Sequence, residues 1–170
     1  MHSECVERAI YAEASIPATI DQAWEAWTTP AGAQTFFAPL CRIDPRPGGV
    51  YEILFDLEAK PGSRGSEGMF VLAVQPKTML AFTWNAPPEL PTVRGQMTSV
   101  IVRLRGVDAE HTLVSLRHDG WGEGGEWDAA FNYFEDAWKR VVLPRLKYRF
   151  EVGPVDWNHP PHFDYKETHL

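Results

Sequence analysis

Cysteine is nearly absent from this chain, with only Cys5 and Cys41 among 170 residues, and neither lies in a CxxC pair. No disulfide framework is expected from two such residues, and reduced thiols in a cytoplasmic protein are the ordinary reading. Long hydrophobic runs are missing too. No stretch approaches the roughly 18 apolar residues that a membrane-crossing helix needs, so no membrane insertion is expected. Met1-His2-Ser3-Glu4-Cys5 carries neither the basic end nor the apolar centre of a secretion signal. Positive charge is in deficit, with 16 Lys and Arg against 23 Asp and Glu, for a net charge of −7. The basic residues are scattered, and the densest strand pair is Arg103 with Arg105. Without a basic patch to replace phosphate counterions, nucleic acid is not an expected partner. Acidic membrane surfaces are disfavoured by the same charge argument.

Aromatic residues, by contrast, are abundant: seven Trp, nine Phe and five Tyr. That many rings exclude a solvated coil for most of the chain. A chain of this length can bury a sizeable core without metal or disulfide staples. One domain over residues 1–150 is expected, followed by a Pro- and His-rich irregular tail over 151–170.

Local patterns set the order of elements. Residues 6–15 read as a first strand. Thr19-Ile20-Asp21-Gln22 has the form of a capping box, and Ile20, Ala23, Trp24 and Trp27 follow at helical spacing. Thr28-Thr29-Pro30 stops that helix, and Pro30 opens a second short one that ends near Phe36-Phe37-Ala38-Pro39. Pro47-Gly48-Gly49 turns into a strand over Val50 to Leu57, in which Tyr51, Ile53 and Phe55 share a face. Residues 58–66 are expected to be a mobile hairpin loop and residues 85–95 a long Pro-rich loop. Gly68 to Val74 is a continuous apolar run. Leu80, Phe82 and Trp84 form one strand face. Thr98, Val100, Val102 and Leu104 alternate on the next strand, as do Thr112, Val114, Leu116 and His118 on the one after. The last large element is a helix from about Glu123 to Leu143, with Trp127, Ala130, Phe131, Phe134, Ala137, Trp138 and Val141 on one stripe. Pro144 should kink or end it. Runs of antiparallel strands with few helices give an α+β class. A twisted sheet wrapped around so aromatic a helix leaves room for a pocket beside it.

In this order and spacing the chain resembles the START-like (SRPBCC, helix-grip) superfamily. Within it, the chain is most similar to the family named after the C-terminal domain of the activator of the heat-shock-protein ATPase. The resemblance spans about residues 6–146. It rests on the Pro17-to-Trp27 helix, the Thr28-Thr29-Pro30 stop, Phe36-Phe37-Ala38-Pro39 and Pro47-Gly48-Gly49-Val50-Tyr51. Leu80-Ala81-Phe82-Thr83-Trp84, Leu116-Arg117-His118-Asp119-Gly120-Trp121 and the aromatic last helix complete it. The family often has Thr-Asp-Pro and Trp-Phe where this chain has Thr28-Thr29-Pro30 and Phe36-Phe37. The resemblance implies a curved antiparallel sheet of six or seven strands gripping the C-terminal helix, with a cavity between them. Members of the superfamily bind lipids, hormones, polyketides or other apolar molecules, and some are cyclases or hydrolases. The co-chaperone activity belongs to longer proteins with an additional N-terminal domain.

The expected partner is therefore a small apolar or amphipathic ligand. The candidate cavity residues are Tyr51, Phe55, Phe82, Trp84, Val100, Val102, Leu116, His118, Trp127, Phe131, Phe134 and Trp138. Each ring has the alternative role of filling the core, although so many rings around one helix are hard to pack without voids. His118 is the one candidate for a catalytic base or an orienting group, and its alternative is a hydrogen-bonded core histidine. Tyr133 lies at the edge of the apolar stripe, near a pocket mouth. The Gly-rich segment before the last helix carries Glu123, Glu126 and Asp128, which would repel a phosphate, so it reads as a hinge or lid. His159-Pro160-Pro161-His162 with Asp164 and His169 offers too few converging ligands for zinc, so no metal site is assigned. No cofactor is expected, because no nucleotide loop, Ser/His/Asp arrangement or catalytic carboxylate pair stands out. Enzyme and interaction-module readings remain as alternatives to ligand binding. A homodimer is a further expectation, with Trp121 and the tail covering each other or a neighbouring copy.

Overall fold

A computed structural model describes residues 8–163. Five strands form one antiparallel sheet in the order β1-β7-β6-β5-β4, namely Ile10–Ile16, Thr112–Asp119, Thr98–Gly106, Met79–Trp84 and Val71–Gln75. A shorter pair, β2 (Leu40–Ile43) and β3 (Tyr51–Leu54), forms a second antiparallel sheet. The two meet at the turn before β3. Tyr51 N donates to Met69 O at 2.9 Å, and Val71 N donates to Gly49 O at 2.8 Å. The fold is α+β, with seven strands among the described residues around a long C-terminal helix, which is the helix-grip architecture.

Alternation decides which face of the sheet is inside. Thr98, Val100, Val102 and Leu104 are buried on β6, as are Thr112, Val114, Leu116 and His118 on β7. The register pairs Val100 with His118 and Val102 with Leu116, so these side chains form one continuous inner surface. On β1 the same face shows Ile10 and Ile16.

Helix α1 (Ile20–Thr28) starts on the capping box that its sequence carries. The Thr19 hydroxyl accepts from Gln22 N at 3.2 Å, and Gln22 Oε1 accepts from Thr19 N at 2.9 Å. Thr29 then closes α1 and caps α2 (Pro30–Ala33), accepting from Gly32 N at 3.0 Å. Residues 34–37 turn Phe36 and Phe37 inward, both buried beside Trp27.

The structure corrects several local expectations. Strand β2 was not legible, because Leu40-Cys41-Arg42-Ile43 is too short to show a period. The strand after it ends at Leu54 rather than Leu57, and Phe55 just beyond it is 43% exposed while its ring still packs against Phe37 and Trp84. The Pro-rich loop contains one helical turn, α3 (Pro91–Arg94), whose first amides are capped by Glu126 Oε1 at 3.0 Å from Thr92 N. Residues 58–66, expected to be mobile, are tethered. Glu67 accepts from the backbone of Gly62, Arg64 and Gly65, and Arg64 Nε donates to Ala59 O at 2.8 Å.

The C-terminal helix also departs from expectation. It begins at Glu126 rather than Glu123 and does not end at Pro144. Helix α4 (Glu126–Ala137) passes through a π turn, Trp138–Val142, into α5 (Leu143–Glu151). Proline in a helix lacks a donor and crowds the carbonyl four residues back, here that of Arg140. The π turn widens the spiral at that point. Leu143 N reaches back five residues to Trp138 O, which makes room for the proline ring one residue later. The tail then folds back irregularly onto the α2–β2 junction. Val155 is buried and donates to Thr35 O at 2.9 Å, and Trp157 Nε1 donates to Gln34 O at 2.7 Å.

Removing the α1 cap should cost stability without touching the core. Thr19→Ala is expected to lower the unfolding free energy by about 1 kcal/mol in a denaturant titration. An unchanged midpoint would show that the cap contributes nothing.

Candidate ligand cleft

The helix and the sheet are joined by a buried chain of hydrogen bonds. Indole nitrogen is a donor only, so Trp138 Nε1–H, 3.0 Å from His118 Nδ1, fixes that ring nitrogen as an acceptor. A neutral His118 then carries its proton on Nε2 and donates it to Thr98 Oγ1 at 2.6 Å. Thr98 in turn donates to the backbone carbonyl of Trp84 at 3.2 Å. Each proton in the chain is used once. His118 is fully buried, and burial drives its pKa down to about 3, partly offset by the negative charge of Asp119. A charged imidazole there would have to abandon the Trp138 bond and its neutral surroundings together.

Above this clamp lies a cleft of about 810 Å³ between the C-terminal helix, the end of β5 and the tethered loop. Its apolar wall is made by Phe37, Phe55, Trp84, Phe134 and Trp138. Ring centroids of Phe37 lie 5.7 Å from Trp84 and 5.8 Å from Trp138, and those of Trp84 and Trp138 are 5.7 Å apart. The rings therefore brace one another, and the two tryptophans are also the residues that the hydrogen-bond chain ties together. The rim is polar, with Asp56, Arg64, Asn85, Glu89, Tyr133, Asp136 and Arg145.

Helix residues reach the cleft in two main ridges, with Asn132 and Asp136 in a shorter row beside them. Ala129, Tyr133, Ala137, Val141 and Arg145 recur every four residues, with Phe134, Trp138 and Val142 beside them. In an α-helix each four-residue step drifts by about 40°, which would carry a long ridge away from one side. The underwound π turn takes back part of that drift, so Arg145 still lines the cleft.

Of the twelve candidate cavity residues, Phe55, Trp84, Phe134 and Trp138 line the cleft. The others lie elsewhere. Tyr51 is fully buried, stacked on Phe82 at 4.1 Å, and its hydroxyl donates to Trp27 O at 3.0 Å. Val100, Val102 and Leu116 are buried in the sheet core. Trp127 and Phe131 pack with Trp121 at the start of the helix. His118 sits beneath the cleft with both ring nitrogens engaged, which leaves no nitrogen for a substrate. Phe37 and Arg145 are among the cleft residues that sequence reasoning passed over as site residues. The four-residue recurrence from Tyr133 to Arg145 was the available signal for the second.

Other candidates are absorbed by structure. Trp121 donates to His118 O at 3.0 Å and packs against Phe131 and Phe134, so its ring is engaged within the chain. The Gly-rich segment is pinned by Arg8, which bonds Gly122 O at 2.9 Å and Asp128 at 2.8 Å. A side chain on Gly122 would begin 2.2 Å from the Trp127 indole nitrogen, so glycine is needed for that close approach. Cys41 is buried, and its thiol is pushed up to about 12 by burial, against a weaker opposing bond to Ala38. Cys5, Asp164 and His169 lie outside the described residues. Among the described residues there is no His, Cys, Asp and Glu grouping suited to a metal, and no helix long and apolar enough to cross a membrane.

Comparison with known proteins places this geometry. Residues 17–151 match the model of the family described as activator of Hsp90 ATPase homolog 1-like protein. No curated protein matches the sequence. Among solved structures, the Aha1 dimer from Colwellia psychrerythraea is 20% identical with a TM-score of 0.62, the match covering 86% of this chain and 98% of that one. DynU16, a putative protein in the dynemicin biosynthetic locus, is 22% identical with a TM-score of 0.63, over 93% of this chain and 51% of that one. An HSP90 activator from Plasmodium falciparum is 13% identical with a TM-score of 0.61, over 86% and 96% of the two chains. Identities this low establish a shared fold.

The clamp makes a prediction about protonation. A histidine with a folded pKa of about 3 and an unfolded value near 6.5 gives an unfolded state that binds one more proton between those limits. Its contribution to stability is therefore complete above about pH 6.5 and falls by about 1.4 kcal/mol per pH unit on acidification towards pH 3. Ring ¹⁵N NMR at pH 5 should find His118 neutral with the proton on Nε2. Titration near pH 6.5 would contradict the clamp.

Proposed function

The chain belongs to the activator of Hsp90 ATPase homolog 1-like family, and from that premise we propose that it binds a small amphipathic molecule in the cleft beside its C-terminal helix. The observation that carries this reading is the cleft of about 810 Å³, walled by five aromatic rings and rimmed by polar side chains. Its volume falls within the roughly 300–1,000 Å³ usual for small-molecule sites. Apolar walls supply affinity by removing ligand surface from water, and rim groups orient the polar end. The rings are held by each other and by the hydrogen-bond clamp, so binding need not order them first.

An enzyme reading loses its one named base, because His118 offers no free nitrogen. Dimerisation and activation of HSP90 are described for the Colwellia and Plasmodium proteins respectively, and at 20% and 13% identity neither is carried over.

The neutral dye Nile red is a suitable probe. It should bind one equivalent with a blue-shifted emission. Val141→Trp adds a large ring to the cleft wall at a position already 36% exposed. That variant should weaken Nile red at least about tenfold while keeping the unfolding temperature, since the added ring faces open space. Equal binding to both proteins would place the dye elsewhere and remove the support for this cleft.

A further inference from the structure

Three arginines line the cleft, and two of them brace the loop through hydrogen bonds to backbone carbonyls. Arg94 donates to the carbonyls of Ala86 at 2.5 Å, Gly62 at 2.7 Å and Gly65 at 2.9 Å, and lies 3.8 Å from Glu67. It is a structural strut of the loop. Arg64 spends its Nε on Ala59. Arg145 differs. Its Nε is buried without a hydrogen-bond partner, and it makes no ion pair among the described residues. The guanidinium carbon stands 5.3 Å from the ring centroid of Trp157, whose own indole N–H is fixed on Gln34 O at 2.7 Å. Stacking of this kind occupies a face of the guanidinium and leaves its in-plane donors free. Burial depresses the Arg145 pKa, which is the mark of a charge that has lost water and gained no counter-charge.

The nearby carboxylates do not supply that counter-charge. Asp136 pairs with Arg140 at 3.0 Å, and Asp56 accepts from the amides of Glu58 and Ala59 at 3.1 and 3.2 Å. Glu89 lies close enough to Tyr133 to push its phenol upward, secondary to the effect of burial. All three carboxylates remain on the rim, where they would repel a polyanion. A single negative charge is what the arrangement lacks.

We propose that the cleft selects a monocarboxylate with an apolar body, the carboxylate accepting from the Arg145 guanidinium and the body lying against Trp84, Trp138 and Phe37. This inference rests on the cleft being the ligand site. It adds a class of ligand and names the residue that sets it. Arginine suits the role because its planar fork matches the two oxygens of a carboxylate.

The test compares 2-naphthylacetate with its neutral counterpart 2-(2-naphthyl)ethanol by titration calorimetry at pH 7.5. The wild-type protein should bind the acid at least about tenfold more tightly, as expected for a hydrogen bond to a charged group. Arg145→Gln should bring the ratio of acid to alcohol affinity to about one, while Arg145→Lys should keep part of the preference. Equal binding of acid and alcohol to the wild type overturns the carboxylate assignment and leaves the cleft as a binding site. So does a preference that survives in Arg145→Gln, or tighter binding of 2-naphthyl phosphate than of the acid. If none of the three compounds binds, the cleft reading falls with it. The wild-type comparison needs no variant, so a folding defect cannot mask the answer.

Discussion

A helix that is gripped by a sheet has to be held somewhere, and here the hold is the chain from Trp138 through His118 and Thr98 to the carbonyl of Trp84. Each link depends on the one before. The indole can only donate, so the imidazole must accept on Nδ1, so its proton must sit on Nε2 and be taken by the threonine. A buried polar network is stable only when it is fully satisfied, and this one is satisfied by four residues from three strands and the helix. The two tryptophans that end the chain are the same ones whose rings wall the cleft. Polar fixation below and apolar surface above are therefore properties of the same residues.

The rest of the site follows from how the helix runs past that anchor. Pro144 would crowd the carbonyl of Arg140 in an ordinary α-helix, and the π turn absorbs the conflict. The same widening keeps the ridge from Tyr133 to Arg145 on one side. Without it the helix would still pack, but its last turns would rotate their side chains away from the cleft. The tail returns at this point and stacks Trp157 on Arg145. Opposite, the loop over residues 58–66 is braced by Glu67 and Arg94, so both walls of the cleft have supports beyond the sheet itself.

Much of this was legible in the chain. The capping box at Thr19, the alternation on β6 and β7 and the aromatic stripe of the last helix all signal their structures directly, because each is a local pattern with a local cause. The inward side of His118 follows from its register with Val114 and Leu116. What could not be read was which inward residues touch a void. Tyr51 and Phe82 have the same pattern as Trp84, yet they stack on each other and fill space, while Trp84 borders a gap. That difference depends on rotamers and on Phe37 arriving from a separate element. Pro144, expected to kink or end the helix, marks a widened turn and not its end. A proline is a strong local signal for a helix end, and packing of Leu143 and Leu146 into the core overrides it at the cost of one widened turn.

The proposed ligand occupies the space beside the clamp, between Trp84 and Trp138. Isotope-filtered NMR of the protein with Nile red tests this most directly. Intermolecular NOEs from the dye to ring protons of Phe37, Trp84 and Trp138 are the predicted result. NOEs confined to the groove between β1 and α5, near Lys139 and Lys147, would contradict it.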